Sequence, residues 1–159
     1  MVESGTLSSA LEREHREIDE GIETFVAGLA EGREDTTPLK RAIEGLRRHI
    51  YLEEEFLFPP LREAGMMAPI FVMLREHGEI WQAMDRLDAE IGKGVAADPV
   101  RGLCAELLDR LEQHNSKEEP IIYPQADSVL TPEATDHLQR FLASGRIPEA
   151  GCAGGRRPD

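Results

Sequence analysis

His49-Ile50-Tyr51-Leu52-Glu53-Glu54, closed by Phe58-Pro59, returns 65 residues later as His114-Asn115-Ser116-Lys117-Glu118-Glu119, closed by Tyr123-Pro124. A second pair accompanies it: Arg13-Glu14-His15-Arg16-Glu17-Ile18 returns 62 residues later as Arg75-Glu76-His77-Gly78-Glu79-Ile80. In every copy a histidine interrupts a stripe of apolar residues that recurs at three- and four-residue steps, the period of an amphipathic helix. The repeated order predicts two related helical hairpins facing each other. That is an all-α fold, an antiparallel up-down-up-down four-helix bundle with approximate two-fold symmetry.

Local signals place the helices. The first carries Leu11, His15, Ile18, Ile22, Phe25 and Leu29, with Ser9 and Glu12 as an S-x-x-E capping box and Gly28 and Gly32 at its end. Thr37-Pro38 opens the second as cap and first helical residue. Its stripe reads Leu39, Ala42, Leu46, His49, Glu53, Phe56, and Pro59-Pro60 marks its last turn. The third stripe is Ile70, Met73, His77, Ile80, Met84, Leu87, Ile91; the fourth is Leu103, Leu107, Leu111, His114, Glu118, Ile121. Thr131-Pro132-Glu133 opens a short C-terminal fifth helix running through Phe141-Leu142. The bundle domain is expected over residues 1–145 and a disordered tail, rich in Gly, Pro and Arg, over 146–159.

Composition narrows the class. The 159 residues suffice for one domain, and 31 acidic against 18 basic residues give a net charge of −13. Such acidity argues against nucleic acid or an anionic membrane surface as partner, because phosphate binding needs clustered Lys and Arg. The longest purely apolar run, Ile70 to Leu74, is far too short to cross a bilayer. The N-terminus has no basic segment before an apolar stretch, so no secretory signal is expected. The two cysteines, Cys104 and Cys152, make no disulfide framework and suit a reducing compartment. These features predict a soluble, cytoplasmic protein.

Four of the five histidines lie inside the apolar stripes, as do Glu53 and Glu118. A glutamate is almost never fully buried without a partner. The i, i+4 spacing of His49 with Glu53 and of His114 with Glu118 puts each pair on one helix face. At about 1.5 Å per residue, His15, His49, His77 and His114 fall within a turn of one level when the four helices are folded back on one another. Each residue alone has a structural reading: a lone core histidine is more often hydrogen-bonded than metal-bound, and an H-x-x-x-E pair can be a surface pair. Six at one level favour a metal site over a metal-free interaction module.

Four imidazoles with carboxylates suit iron first, with manganese or zinc as alternatives. Six ligands exceed one tetrahedral zinc, and two ions sharing the cluster fit better. His137 reads as structural or surface, Cys104 as a small core residue, Met73 and Trp81 as packing around His77. Glu54, Glu55 and Glu119 read as solvated or supporting, with Glu119 also a candidate bridge between ions.

Over about residues 7 to 128 these motifs resemble the hemerythrin family, specifically the bacterial HHE cation-binding domains. The resemblance implies a bundle enclosing two non-haem iron ions, oxo- or hydroxo-bridged, with His15, His49, Glu53, His77, His114 and Glu118 as ligands. Oxygen-carrying hemerythrins have H-x-x-x-H on the third helix, where Met73 and Trp81 flank His77 here. They have H-x-x-x-x-D on the fourth, where Glu118 and Glu119 stand at i+4 and i+5 of His114. A set of four histidines and two glutamates is similar to family members that sense iron and oxygen or repair iron–sulfur centres. It implies binding of a small diatomic or peroxide ligand for sensing, storage or detoxification. The alternatives are an enzyme consuming peroxide or nitric oxide, and iron storage or delivery.

Overall fold

A computed structural model describes residues 6–94 and 97–147. Helix α1 spans Leu7–Ala30 and α2 Thr37–Leu52. A single π-helical turn, Glu53–Leu57, then leads without a break into α3, Phe58–Glu63. Helix α4 covers Met67–Gly92. Helix α5, Ala97–Lys117, continues through a second π turn, Glu118–Ile122, into α6, Tyr123–Val129. Helix α7, Pro132–Ser144, closes the described chain. The α2–α3 and α5–α6 segments are each one rod, so the fold is an antiparallel four-helix bundle with a short fifth helix. No strand occurs among the described residues. The expected disordered tail falls outside them from residue 148 onward, as does Cys152.

The bundle is filled by two apolar cores. One gathers Ile18, Ile22, Phe25, Leu46, Ile50, Ile80, Met84, Leu107 and Leu111, among others. The second gathers Leu7, Leu11, Leu52, Leu57, Phe58, Ile70, Met73, Ile122 and Tyr123 toward the opposite end. Between them, on every rod, sits one of the sequence-selected histidines: His15 between Leu11 and Ile18, His77 between Met73 and Ile80. Burial of each large aliphatic side chain contributes about 1.5–3 kcal/mol, and these two cores hold a polar layer that contributes no such term.

The two π turns change the register that the stripes predict. Phe58 N–H bonds to the Glu53 carbonyl and Tyr123 N–H to the Glu118 carbonyl, one residue further than an α-helix allows. The extra residue rotates the following turn, so Leu57 and Ile122 are buried while Ile121 is 50% exposed. The expected inward positions, Phe56 and Ile121, are therefore corrected by one. Proline supplies the physical cause. Pro59, Pro120 and Pro124 lack an N–H and would clash with the carbonyl four residues back, and a π turn relieves both problems. Pro59-Pro60 does not end the second rod; it lies in the first turn of the segment after the π turn, as the second and third residues of α3.

The helix starts also differ by small steps. Thr6, not Ser9, caps α1, its hydroxyl accepting from Ser9 N–H, and Thr36 rather than Thr37 stands at the α2 cap. Helix α1 ends as its glycines suggest: Gly32 takes φ +84, and Arg33 N–H turns back to the Gly28 carbonyl. Helix α7 docks on the second rod through Phe141, whose ring lies 5.3 Å from Phe56 and 5.6 Å from Tyr51. Arg48 donates to the carbonyls of Phe141, Leu142 and Gly145, supplying cationic partners to a helix C-terminus.

Candidate metal centre

His15, His49, Glu53, His77, His114 and Glu118 converge in the layer between the two cores. All six are buried, with Glu53 and Glu118 completely so. Each glutamate reaches two histidines with different oxygens. Glu53 Oε2 lies 3.0 Å from His49 Nε2 and its Oε1 3.0 Å from His77 Nε2. Glu118 Oε1 lies 3.2 Å from His15 Nε2 and its Oε2 3.4 Å from His114 Nε2. Two overlapping groups result, His15–His49–Glu53–Glu118 and Glu53–His77–His114–Glu118, the ligand atoms of each lying within 4.8 Å of one another. Each group could hold a cation, and both carboxylates belong to both groups.

The outward ring nitrogens are tied as well. His15 Nδ1 pairs with Glu119 at 2.7 Å, His49 with Glu14 at 2.7 Å, His77 with Glu54 at 2.8 Å and His114 with Glu76 at 2.8 Å. A carboxylate on Nδ1 fixes the tautomer that leaves Nε2 free to ligate and makes it a better donor. The arrangement obeys the sequence repeat: Glu14 and Glu76 serve the glutamate-bearing rods, Glu54 and Glu119 the other two. Adjacent glutamates act in opposite directions because the π turn opens the helix there. Glu53 points into the layer, and Glu54 crosses to His77. Glu119, a candidate bridge from the sequence, instead serves His15 Nδ1 on the outside of the cluster.

Four buried polar atoms lack a hydrogen-bond partner here: Glu53 Oε1, His77 Nε2, His114 Nε2 and Glu118 Oε2. They approach one another at 3.0–3.4 Å without the alignment a hydrogen bond requires. Leaving such atoms unsatisfied costs about 1–3 kcal/mol each, more when charged. Nitrogen and oxygen lone pairs turned toward a shared centre fit a cation.

The electrostatics follow from burial opposed by contact. Burial alone would lower the His114 pKa, but the charge of Glu118 and contacts with Glu118 and Glu76 outweigh it and raise the value to about 10. His49, against burial, is held well above its usual value by Glu53 and Glu14. His77 is raised, against burial, by Glu53 and Glu54. Burial would raise both carboxyls. His114 and His15 nevertheless hold Glu118 well below the ordinary range, and His49 and His77 lower Glu53 despite repulsion from Glu118. Glu76 falls to about 2, chiefly through its hydrogen bond with His114.

Besides the outer carboxylates Glu14 and Glu76, two residues near the cluster lie outside the sequence-selected set. Tyr123 Oη donates to Glu53 Oε2 at 2.5 Å and lies 3.0 Å from Glu118 Oε1, 2.9 Å from His15 Nε2 and 3.1 Å from His49 Nε2. Burial and the two carboxylates hold its phenol well above the usual value. Its spacing of five from Glu118 is off-face in an α-helix, and only the π turn brings it inward. Asp19, one turn beyond His15, has a buried Oδ1 with no hydrogen-bond partner and a carboxyl raised to about 6, mainly by burial. It stands where an acidic depression of about 550 Å³, bordered by Glu23, Glu112 and Glu119, meets the cluster. The spacing His15–Asp19, i to i+4, was the available signal.

The remaining candidates behave as packing. His137 is exposed on α7 with its ring 5.3 Å from Phe56. Cys104 is fully buried, and burial pushes its thiol up to about 11. Met73 lies in the second core, and the Arg47 guanidinium sits 5.1 Å over the Trp81 ring. No helix among the described residues is long and apolar enough to cross a membrane.

Comparison with known families agrees with this geometry. No curated protein and no solved structure matches the chain. The family model of the hemerythrin HHE cation-binding domain matches residues 6–126, from the cap of α1 into α6 and across all six cluster residues. The chain belongs to the hemerythrin HHE cation-binding domain family.

Proposed function

We propose that the six-residue cluster is a di-iron centre and that the protein uses it to bind a small oxidant such as dioxygen, nitric oxide or peroxide. The observation that carries this reading is the division of oxygens in Glu53 and Glu118. Each offers one oxygen to each half of the cluster, which creates two cation positions with two imidazoles apiece and two shared carboxylates. His15 and His49 would ligate one ion, His77 and His114 the other, and the glutamates would bridge them. The donor set of imidazole and carboxylate suits iron, with manganese or zinc as alternatives. Two iron ions, when bound, would supply redox change and Lewis acidity toward a small ligand.

The protein's own residues do the rest. The four outer carboxylates orient the imidazoles, and the apolar cores above and below exclude bulk water from the layer. The acidic depression beside His15 and Asp19 offers the cluster an approach from solvent. Azide, nitric oxide and hydrogen peroxide titrated into the iron-loaded protein test the reading. Saturable spectral change with negligible consumption supports a binder or sensor. Sustained peroxide or nitric oxide consumption assigns an enzyme, and transfer of iron to an apo acceptor assigns delivery. No change with any of the three contradicts the proposal.

A further inference from the structure

The internal repeat maps the cluster residues and their outer carboxylates onto each other residue by residue, and one of the breaks beside the layer carries a hydroxyl into it. His15 corresponds to His77, His49 to His114, Glu53 to Glu118, Glu14 to Glu76 and Glu54 to Glu119. The first residue after each π turn corresponds too, and there the halves differ: it is Phe58 in one copy and Tyr123 in the other. Both are buried with the same backbone environment. The Phe58 ring lies flat against His77, centroids 5.5 Å apart, and offers no polar atom. The Tyr123 ring stacks on His15 at the same 5.5 Å, but its oxygen enters the cluster.

The position of that oxygen is specific. Tyr123 Oη is within 2.5–3.1 Å of one ligand atom from each of His15, His49, Glu53 and Glu118. Those are the four members of one candidate cation group. All four unpartnered atoms lie on the side of His77 and His114, where no hydroxyl reaches. A phenol has one proton, which serves Glu53 at the shortest of these distances; the remaining three contacts exceed what that single hydrogen bond needs.

We propose that Tyr123 is a further metal ligand, its phenolate oxygen completing the position held by His15 and His49, while the His77–His114 position, where Phe58 stands in its place, has no such ligand. This rests on the di-iron reading above. On ligation the phenol gives its proton to solvent and its oxygen forms a coordinate bond; no electron is transferred. The two positions would then differ in charge and in the number of protein ligands.

Aerobic iron loading followed by resonance Raman spectroscopy and iron analysis tests the assignment. A ferric phenolate absorbs visible light, and excitation there enhances the ring modes of the bound tyrosine. The expected result is about two irons per chain with tyrosinate modes in the unaltered protein. In Tyr123→Phe, which places at this position the residue the repeat already tolerates at Phe58, the modes vanish from whatever iron the variant retains. Two irons without tyrosinate modes in the unaltered protein overturn this proposal and leave the di-iron reading intact. No iron uptake overturns both. Tyrosinate modes that persist in Tyr123→Phe assign the ligand to Tyr51 and overturn it as well.

Discussion

Loading the cluster with a divalent ion must expel protons, and the structure sets a lower bound on their number. His49, His77 and His114 all have pKa values raised above 6.5 in the metal-free protein, His114 to about 10. At about pH 6 these three imidazoles carry protons that a metal ion must displace. Glu53 and Glu118 are already ionised, their values being lowered, so they release none. Each proton displaced changes the apparent loading free energy by about 1.4 kcal/mol per pH unit. Three together give about 4 kcal/mol per unit, a thousand-fold gain in the overall loading constant. Titration calorimetry of ferrous or zinc ion, repeated in buffers of different ionisation enthalpy, counts the protons. At least three protons near pH 6 is the expected result. Loading that releases none, with affinity independent of pH between about 6 and 8, would refute the reasoning.

The same shifts set the pH dependence of the metal-free fold. Folded histidine values above the unfolded 6.5 stabilise fully below that pH, and the His114 contribution is lost as pH rises toward about 10. Chemical denaturation of chelator-treated protein should therefore show falling stability on the alkaline side. Glu53→Ala leaves His49 and His77 without their shared carboxylate. It should cost about 3–5 kcal/mol, a melting-temperature drop of roughly 10 °C, whereas an ordinary apolar bundle would tolerate it. Glu54→Gln and Glu119→Gln should keep the fold and weaken metal binding about 10–100-fold, measured by chelator competition. Arg48→Ala removes the donor to three carbonyls of the α7 end, and hydrogen exchange should rise over Pro132–Ser144 while α4 and α5 stay protected.

The sequence reading reached the bundle because the 3.6-residue period and the internal repeat are strong, long-range signals. It reached the six cluster residues because burying His and Glu in apolar stripes is costly and therefore conspicuous. What it lost lies downstream of the π turns. A one-residue insertion leaves no mark in composition, so Phe56 and Ile121 read as inward when Leu57 and Ile122 are. Tyr123 was hidden by the same slip. Pro59-Pro60 reads as a terminator in the sequence, because in an α-helix that is the usual effect of proline. The outer carboxylates were hard to single out among 31 acidic residues, since an Nδ1 contact between helices has no fixed sequence spacing.

Metal content tests the central claim most directly. Protein purified without a metal-affinity tag, subjected to elemental analysis together with an absorption spectrum in air, should contain about two irons per chain and show near-ultraviolet charge-transfer absorption. A fully folded protein that contains no metal, and takes up no ferrous ion anaerobically, would contradict the account.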